Sequence, residues 1–275
     1  MARKRIRLAQ NFFRDRGLVA SIVAGSSLGR DDVVYEIGPG RGIITRELAE
    51  RAGRVVAIEK DPELAGRLRA RFRDAVNVRV HQGDFLGYRI TESRYRVFAN
   101  VPFNITAAVA KRILFGPNPP GEAHLVVQRE AAARFLGVPA GTLVSVLAKP
   151  WFRLEVVRAF RRTDFEPVPG VDPVLLHIAR RACPLVDRED AGTYRRFVRS
   201  GFRAWKRDLA TAYRRAFTHE QWRRLARSLA FPARATPSEL SFEQWLGLFE
   251  FLRAGAGNSR ARAGGGRRRD RTPGR

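Results

Sequence analysis

The feature that most constrains this chain is a glycine-rich loop that follows a short run of β-branched residues. Val33-Val34-Tyr35-Glu36-Ile37 leads into Gly38-Pro39-Gly40-Arg41-Gly42, so an acidic residue precedes three glycines at alternate positions. A strand that opens into such a loop lets a ligand lie against bare backbone, and the N-terminal amides of the next helix then point toward it. The spacing G-x-G-x-G differs from the G-x-G-x-x-G of dinucleotide-binding folds. The loop therefore predicts a nucleotide-type cofactor other than NAD.

Three further predicted strands also end in polar residues. They cover residues 54–59, 78–82 and 95–99, and the loop Gly83-Asp84-Phe85 follows the second of them. The carboxyl ends of parallel strands face one crevice, where the acid about twenty residues beyond the glycine loop is placed to accept ribose hydroxyls. A single polar strand end is more often a turn former, but four in register indicate a site. The four strand-end residues are Glu36, Glu59, Asp84 and Asn100.

Several sequence elements together resemble a known family. They are Gln10-Asn11-Phe12, the loop from Glu36 to Gly42, Glu59, Asp84-Phe85, Asn100-Val101-Pro102-Phe103 and the F-x-P-x-P-x-V-D run at 165–172. This set is similar to that of the S-adenosylmethionine-dependent ribosomal RNA adenine N6-methyltransferases, and within them of the Erm macrolide-resistance enzymes. The resemblance covers Gln10 to about Arg253. The tetrapeptide and the F-x-P-x-P-x-V-D run are specific together, whereas the glycine loop alone indicates only some methyltransferase.

The resemblance implies a role for each of these residues. S-adenosylmethionine is the implied cofactor, with Glu59 as the ribose-binding acid and Asp84-Phe85 as the adenine-binding pair. Phe103 stands where most relatives have Tyr, a change that keeps the ring face for stacking and loses the phenol hydrogen bond. The implied cofactor-binding residues are Gln10, Asn11, Glu36, Gly38, Gly40, Glu59, Asp84, Phe85 and Asn100. The implied catalytic residues are Asn100, Pro102, Phe103 and Phe165.

The chemistry of adenine methylation suits this tetrapeptide. The exocyclic amine is a poor nucleophile and the methyl of a sulfonium is already activated, so the enzyme's work is mostly placement. The side-chain oxygen of Asn100 and a main-chain carbonyl of the Val101-Pro102 segment are placed to accept the two N6 hydrogens. Pro102 keeps Val101 extended. Phe103 and Phe165 are expected to stack on the target base, and no dedicated strong base is needed.

The composition indicates a polyanionic partner. Lys plus Arg number 52 against 27 Asp plus Glu, a net charge of +25, although the excess of Arg over Lys also suits a GC-rich genome. The partner that the resemblance implies is 23S rRNA. The single cysteine, Cys183, excludes an intramolecular disulfide, and the four histidines lack ligand spacing, so no metal site is expected. The sequence has no apolar segment of membrane length, so we expect a cytoplasmic protein. We also expect a monomer.

Three regions are predicted along the chain. Residues 1–180 alternate strands and helices, which predicts an α/β fold with a Rossmann-like class I methyltransferase sheet that holds the cofactor and the catalytic residues. Residues 181–254 are predicted to form a small C-terminal helical RNA-binding domain, in which apolar residues at helical spacing lie among arginines from Val198 to Ala212. The segment 240–246 is similar to the L-S-F-E-Q-W-L ending of Erm proteins. Residues 255–275 are predicted to be a disordered Arg/Gly-rich tail.

Other functions remain open from the sequence. A KsgA-type dimethylase of the small-subunit rRNA shares most of the motifs, but the L-S-F-E-Q-W-L ending and the Arg/Gly tail favour an Erm-type enzyme. A non-catalytic nucleic-acid-binding relative is disfavoured by the intact glycine loop, Glu59, Asp84 and Asn100. A DNA adenine methyltransferase ranks last, because such enzymes usually carry Asp-Pro-Pro-Tyr or Asn-Pro-Pro-Tyr. The number of methyl groups transferred is left open.

Overall fold

The computed structural model describes residues 11–203 and 208–264, with the side chains described as far as Gly255. The chain forms two compact units. The first comprises the residues up to 136 together with 148–184, and the second comprises 137–147 and the residues from 185 onward. In the part of the chain that the structure describes, every helix is too short or too polar to cross a membrane.

The first unit contains nine strands and five helices within its described residues. The strands are β1 (Phe12–Phe13), β2 (Val33–Ile37), β3 (Arg54–Glu59), β4 (Val78–Gln82), β5 (Arg96–Asn100), β6 (Glu122–Gln128), β7 (Phe152–Ala159), β8 (Phe165–Glu166) and β9 (Pro173–Arg180). The helices are α1 (Arg16–Ala24), α2 (Ile43–Arg51), α3 (Pro62–Arg71), α4 (Thr106–Phe115) and α5 (Arg129–Leu136). Short 3₁₀ turns cover Phe103–Ile105 and Arg162–Asp164.

Seven of these strands form one mixed sheet in the order β4-β3-β2-β5-β6-β9-β7. The first five strands in this order, β4, β3, β2, β5 and β6, are parallel to one another. Strand β9 is antiparallel to both β6 and β7. The predicted α/β fold is confirmed. The order of the strands reverses between β2 and β5, and ligands of open α/β sheets bind in the crevice at such a point. Glu36 and Asn100 lie on these two strands.

The central strands are almost continuously apolar because helices cover both faces of the sheet. Val34, Val55 and Phe98 belong to one buried core with Ile44 and Leu48 of α2. Such strands place their few polar residues at the ends, where the backbone leaves the sheet. The loop after β3 starts α3 with a side-chain cap from Asp61 and a proline at the first helical position.

The second unit is helical. Its helices are α6 (Leu143–Ala148), whose last residue falls in the first unit, α7 (Ala191–Arg203), α8 (Leu209–Ala212), α9 (His219–Ser228) and α10 (Phe242–Gly264). Its core is aromatic: Trp245 is buried, and the Phe197 ring stacks on Tyr213 with 4.6 Å between centroids. The L-S-F-E-Q-W-L segment begins α10, with Ser241 and Gln244 bonding to each other's backbone amides as a capping box.

Three features of the organisation differ from the sequence-based prediction. Residues 137–147 belong to the second unit, where the Gly141 amide donates to the Ser238 carbonyl at 2.9 Å. The predicted helical stretch from Val198 to Ala212 is divided, since α7 ends at Arg203 and α8 begins at Leu209, with 204–207 outside the described residues. Helix α10 continues to Gly264, so the predicted disordered tail does not begin at 255. Residues 265–275 lie outside the described part.

Candidate active site

The glycine loop after β2 has the backbone that its sequence predicts. Gly38, Gly40 and Gly42 all have positive φ, at 64°, 56° and 77°. Gly40 also has no room for a side chain, because a Cβ there would lie 2.4 Å from Cε1 of Phe12. The left-handed backbone and the close approach of the Phe12 ring both require glycine. The loop ends at α2, whose N-cap residue is Gly42.

Glu59 ends β3 directly beside this loop. Its carboxylate is buried and accepts two backbone hydrogen bonds, from the Gly40 amide at 3.0 Å and from the Asp61 amide at 2.9 Å. A carboxylate has about four lone-pair sites, so two acceptor positions remain for a ligand. The two backbone bonds fix the carboxylate against the glycine loop, where the sequence predicts the ribose-binding acid.

Glu36, near the end of β2, is a buried carboxyl group close to Thr45. Neither of its side-chain oxygens has a hydrogen-bond partner among the described residues. Burial raises the pKa of Glu36 to about 8, with the nearby charge of Glu59 adding to the rise and Thr45 acting against it. The group is therefore largely protonated at neutral pH. Such an orphaned polar group at the switch point of the sheet marks a place built for a ligand.

A cavity opens at the carboxyl ends of β2, β3 and β4. Its empty volume is about 690 Å³, including space open to solvent. The walls combine acids with apolar side chains, a lining that suits a nucleoside. The predicted Gly38, Glu59, Asp84, Phe85 and Pro102 line it together with Ile37, Ile58, Lys60, Gly83, Leu86, Asn104, Ile105 and Val109.

Two basic residues contact the side chains of Asp84 and Phe85, which line this cavity. Lys60 Nζ lies 2.9 Å from Asp84 Oδ2, and this ammonium keeps the pKa of Asp84 below its usual value. The guanidinium carbon of Arg112, on α4, lies 4.9 Å from the centroid of the Phe85 ring, and Arg112 donates to the carbonyls of Leu86 and Tyr88. Sequence reasoning did not identify either cation. Lys60 follows directly on Glu59, which is a weak signal, whereas no local pattern links Arg112 to a loop that precedes it by more than twenty residues.

A smaller cavity of about 330 Å³ adjoins the larger one, sharing Gly38 and Pro102. Asn100 lies in it at the end of β5, and its Nδ2 donates to the Asn11 carbonyl at 2.5 Å. That bond leaves Oδ1 of Asn100 as the free acceptor. The Pro102 carbonyl already accepts from the Ile105 amide at 3.0 Å. The remaining lining residues are Asn11, Phe12, Val101 and Phe103.

Phe165 does not lie at either cavity, contrary to the predicted stacking on the target base. Its side chain is 0 % exposed and belongs to the core of the first unit. The Phe13 ring lies 4.5 Å from it and the Phe160 ring 5.8 Å, between centroids. The pairing of β1 with β8 sets Phe13 opposite Phe165 and turns both inward. The aromatic residues that line the smaller cavity are Phe103 and Phe12. Gln10 lies outside the described residues.

A second polar cluster lies at the opposite end of the sheet. Glu122 and His124 of β6 meet His177 of β9, so two histidines that are distant in sequence are neighbours in space. Their rings stack with centroids 4.6 Å apart. In the sequence, the spacing of the histidines gives no sign of this contact. It depends on the antiparallel register of two strands about fifty residues apart.

The comparisons with known proteins agree with this geometry. The model of the family described as "Ribosomal RNA adenine dimethylase" matches residues 1–254. The chain belongs to that family. Its members transfer methyl groups to rRNA adenine, and the predicted activity of this enzyme, rRNA adenine N6-methylation, is confirmed.

Individual relatives of this methyltransferase fall into two groups. The mycinamicin-resistance protein MyrB of Micromonospora griseorubida is 36 % identical, over 94 % of this chain and 84 % of that protein. A ribosomal RNA small subunit methyltransferase A of Geobacter sulfurreducens is 35 % identical, over 75 % of this chain and 79 % of that protein. The crystal structure of the 23S rRNA methyltransferase ErmE superposes with a TM-score of 0.82 at 32 % identity, covering 88 % of this chain and all of the other. The resemblance to Erm-type enzymes is confirmed.

Proposed function

We propose that this enzyme uses S-adenosylmethionine to methylate N6 of one adenine in 23S rRNA, and that the modification gives resistance to macrolide-type antibiotics. The observation that carries the proposal is the match to the ErmE structure, which superposes with a TM-score of 0.82 at 32 % identity over 88 % of this chain. The match to MyrB covers 94 % of the chain at 36 % identity. MyrB is named for mycinamicin resistance, and ErmE is a 23S rRNA methyltransferase.

The larger cavity fits S-adenosylmethionine. Glu59 offers two remaining acceptor positions for the ribose hydroxyls, and Asp84 with the Phe85 ring forms a polar edge and an apolar face for an adenine. The loop at Gly38 brings bare backbone to the boundary between the two cavities. When bound, S-adenosylmethionine supplies an activated methyl group on a sulfonium.

The smaller cavity then holds the target adenine. Asn100 Oδ1 accepts one N6 hydrogen, because Nδ2 of the same side chain is engaged by the Asn11 carbonyl and fixes the orientation of the amide. The Val101 carbonyl is the better candidate for the second acceptor, since the Pro102 carbonyl already accepts from Ile105. Phe103 lines this cavity and offers its ring face to the base. The proton leaves to water after transfer.

The second unit supplies candidate RNA contacts. Helix α7 buries Tyr194, Phe197 and Val198 and exposes Arg199 and Arg203 on its other side. Helix α9 likewise buries Trp222 and exposes Arg223. Guanidinium groups on these faces suit the phosphate backbone, so this unit binds RNA largely without reading its sequence.

The experiment expresses the protein in a macrolide-sensitive bacterium and maps new methyladenines in both rRNAs by mass spectrometry. We expect N6-methyladenine or N6,N6-dimethyladenine in 23S rRNA together with raised macrolide resistance. The Asn100→Ala variant, expressed at the same level, is the matched control and should give neither. Methyl groups found only near the end of the small-subunit rRNA, with unchanged sensitivity, would replace the proposal with the KsgA-type function that the Geobacter relative represents.

A further inference from the structure

The polar cluster at the amino end of β6 brings together three side chains of a kind that binds transition metals. His124 of β6 is the register partner of His177 of β9. Glu122 precedes His124 by two residues, so both side chains point to the same face of the sheet. One ligand atom from each of the three lies within 4.8 Å of the others. This face is remote from the cofactor cavity, which opens at the carboxyl ends of the parallel strands.

The distances suit a small ion after a modest side-chain movement. Glu122 Oε1 lies 2.7 Å from His177 Nε2 and 3.8 Å from His124 Nε2. Ligand atoms bound tetrahedrally at the usual Zn²⁺ bond lengths lie about 3.4 Å apart. The two observed distances bracket that value. Binding of one ion by both rings requires the two Nε2 atoms to turn toward a common point beside Glu122, with a change in the stacking of His124 between Phe98 and His177.

The groups around the cluster already orient two of the three ligands. His177 Nδ1 lies 3.0 Å from Glu155 Oε1, a carboxylate–histidine arrangement that orients the ring with Nε2 toward Glu122 Oε1. The second oxygen of Glu122 accepts from Ser27 Oγ at 2.5 Å and from Arg96. Arg96 in turn contacts Asp32 at 2.9 Å. Oε1 of Glu122 is therefore the oxygen that faces the histidines.

We propose that Glu122, His124 and His177 form a Zn²⁺ site with a fourth position open to water. The site joins β6 to β9 and stabilises the antiparallel side of the sheet. Two histidines and a carboxylate are a ligand set that Zn²⁺ prefers. The proposal departs from the sequence-based expectation of no metal site, because the strand register supplies a proximity that spacing along the chain does not.

The local charge favours a divalent cation. With both histidines neutral, the carboxylates of Glu122, Glu155 and Asp32 contribute −3 and Arg96 contributes +1, so the bonded groups carry −2.

The test uses the full-length protein after metal removal with EDTA. Zn²⁺ is titrated by calorimetry and Co²⁺ by visible absorption, and thermal unfolding is followed with and without Zn²⁺. We expect one equivalent bound, a tetrahedral Co²⁺ spectrum and a higher melting temperature with Zn²⁺. The His177→Gln variant should lose all three. The Glu155→Gln variant, altered at an exposed side chain, should bind about tenfold more weakly.

The control is His219→Gln on α9, which removes an exposed histidine elsewhere and should bind Zn²⁺ as the wild type does. Folding of each variant is checked by its circular dichroism spectrum without metal. If wild type and His177→Gln take up the same amount of Zn²⁺ with the same Co²⁺ spectrum, the cluster is only a charge network and the proposal is wrong. The same conclusion follows if wild type binds neither ion.

Discussion

The two adjoining cavities of the first unit are built differently. We call the larger one, the proposed S-adenosylmethionine site, the cofactor half, and the smaller one, the proposed adenine site, the target half. The cofactor half rests on acids held in the sheet: Glu59 is buried and fixed by two backbone amides, and Glu36 is buried with no hydrogen-bond partner among the described residues. The target half lies at the end of β5 and in the turn after it, where the Asn100 side chain donates one bond to the Asn11 carbonyl and Phe103 is only partly buried. We therefore expect affinity for the proposed cofactor to depend on residues held in the core, and positioning of the proposed target to depend on a few contacts at the end of β5.

The largest effect should come from the target half. Asn100→Ala should reduce kcat about 10²- to 10³-fold, because it removes an acceptor aimed at the reacting amine. Cofactor affinity, measured by calorimetry, should stay within about threefold of wild type. The matched control is Asn118→Ala, which removes an amide that donates to the Glu92 carbonyl away from the cleft. Near wild-type turnover in Asn100→Ala would eliminate the positioning role.

In the cofactor half, Glu59→Ala should weaken S-adenosylmethionine binding at least tenfold, about 1.5–3 kcal/mol for a charge-assisted contact. Because Glu59 also holds the Gly40 and Asp61 amides, thermal unfolding must be measured alongside, and Glu59→Gln serves as the smaller change. Glu50→Ala, at an exposed acid of α2, is the control. Unchanged affinity in a folded Glu59→Ala protein would remove Glu59 from the site.

The buried acid of the cofactor half predicts a pH dependence of stability. The pKa of Glu36 is about 8 in the folded protein and near 4.5 when unfolded, so the folded state binds more protons between these values. Stability therefore falls as pH rises from about 5 to 8, by up to about 1.4 kcal/mol per pH unit from this group. Glu36→Gln should remove that slope, measured by urea unfolding at several pH values. Identical slopes in both proteins would show that Glu36 is ionised throughout.

The smallest effect separates two phenylalanines. Phe103→Leu should lower kcat/KM for RNA about tenfold, since stacking of a base on an aromatic ring contributes about 1–3 kcal/mol. Phe165→Leu should instead lower the free energy of unfolding by about 1 kcal/mol and leave kcat/KM nearly unchanged, because that ring packs in the core. A Phe165→Leu enzyme that is stable but defective in RNA methylation would restore the direct contact predicted from the sequence.

The sequence predicts the cofactor half well because its signals are local. A run of apolar residues, a polar strand end and alternate glycines specify where each strand stops, and the parallel sheet brings Glu36, Glu59 and Asn100 to one edge. The burial of Phe165 depends on the pairing of β8 with β1, which joins segments about 150 residues apart. The meeting of His124 with His177 has the same cause. Contacts of this kind follow from strand register and leave no local pattern.

The measurement that tests the central claim most directly is methyl transfer in vitro from labelled S-adenosylmethionine to separate RNAs. Protein-free 23S rRNA, protein-free 16S rRNA and assembled 50S and 30S subunits are compared with wild-type enzyme and with Asn100→Ala. We expect label at N6 of one adenine of free 23S rRNA, little in assembled subunits, and at least a hundredfold less with Asn100→Ala, consistent with the loss of one positioned acceptor. Label confined to 16S rRNA or to 30S subunits, or equal rates with the two proteins, would contradict the account.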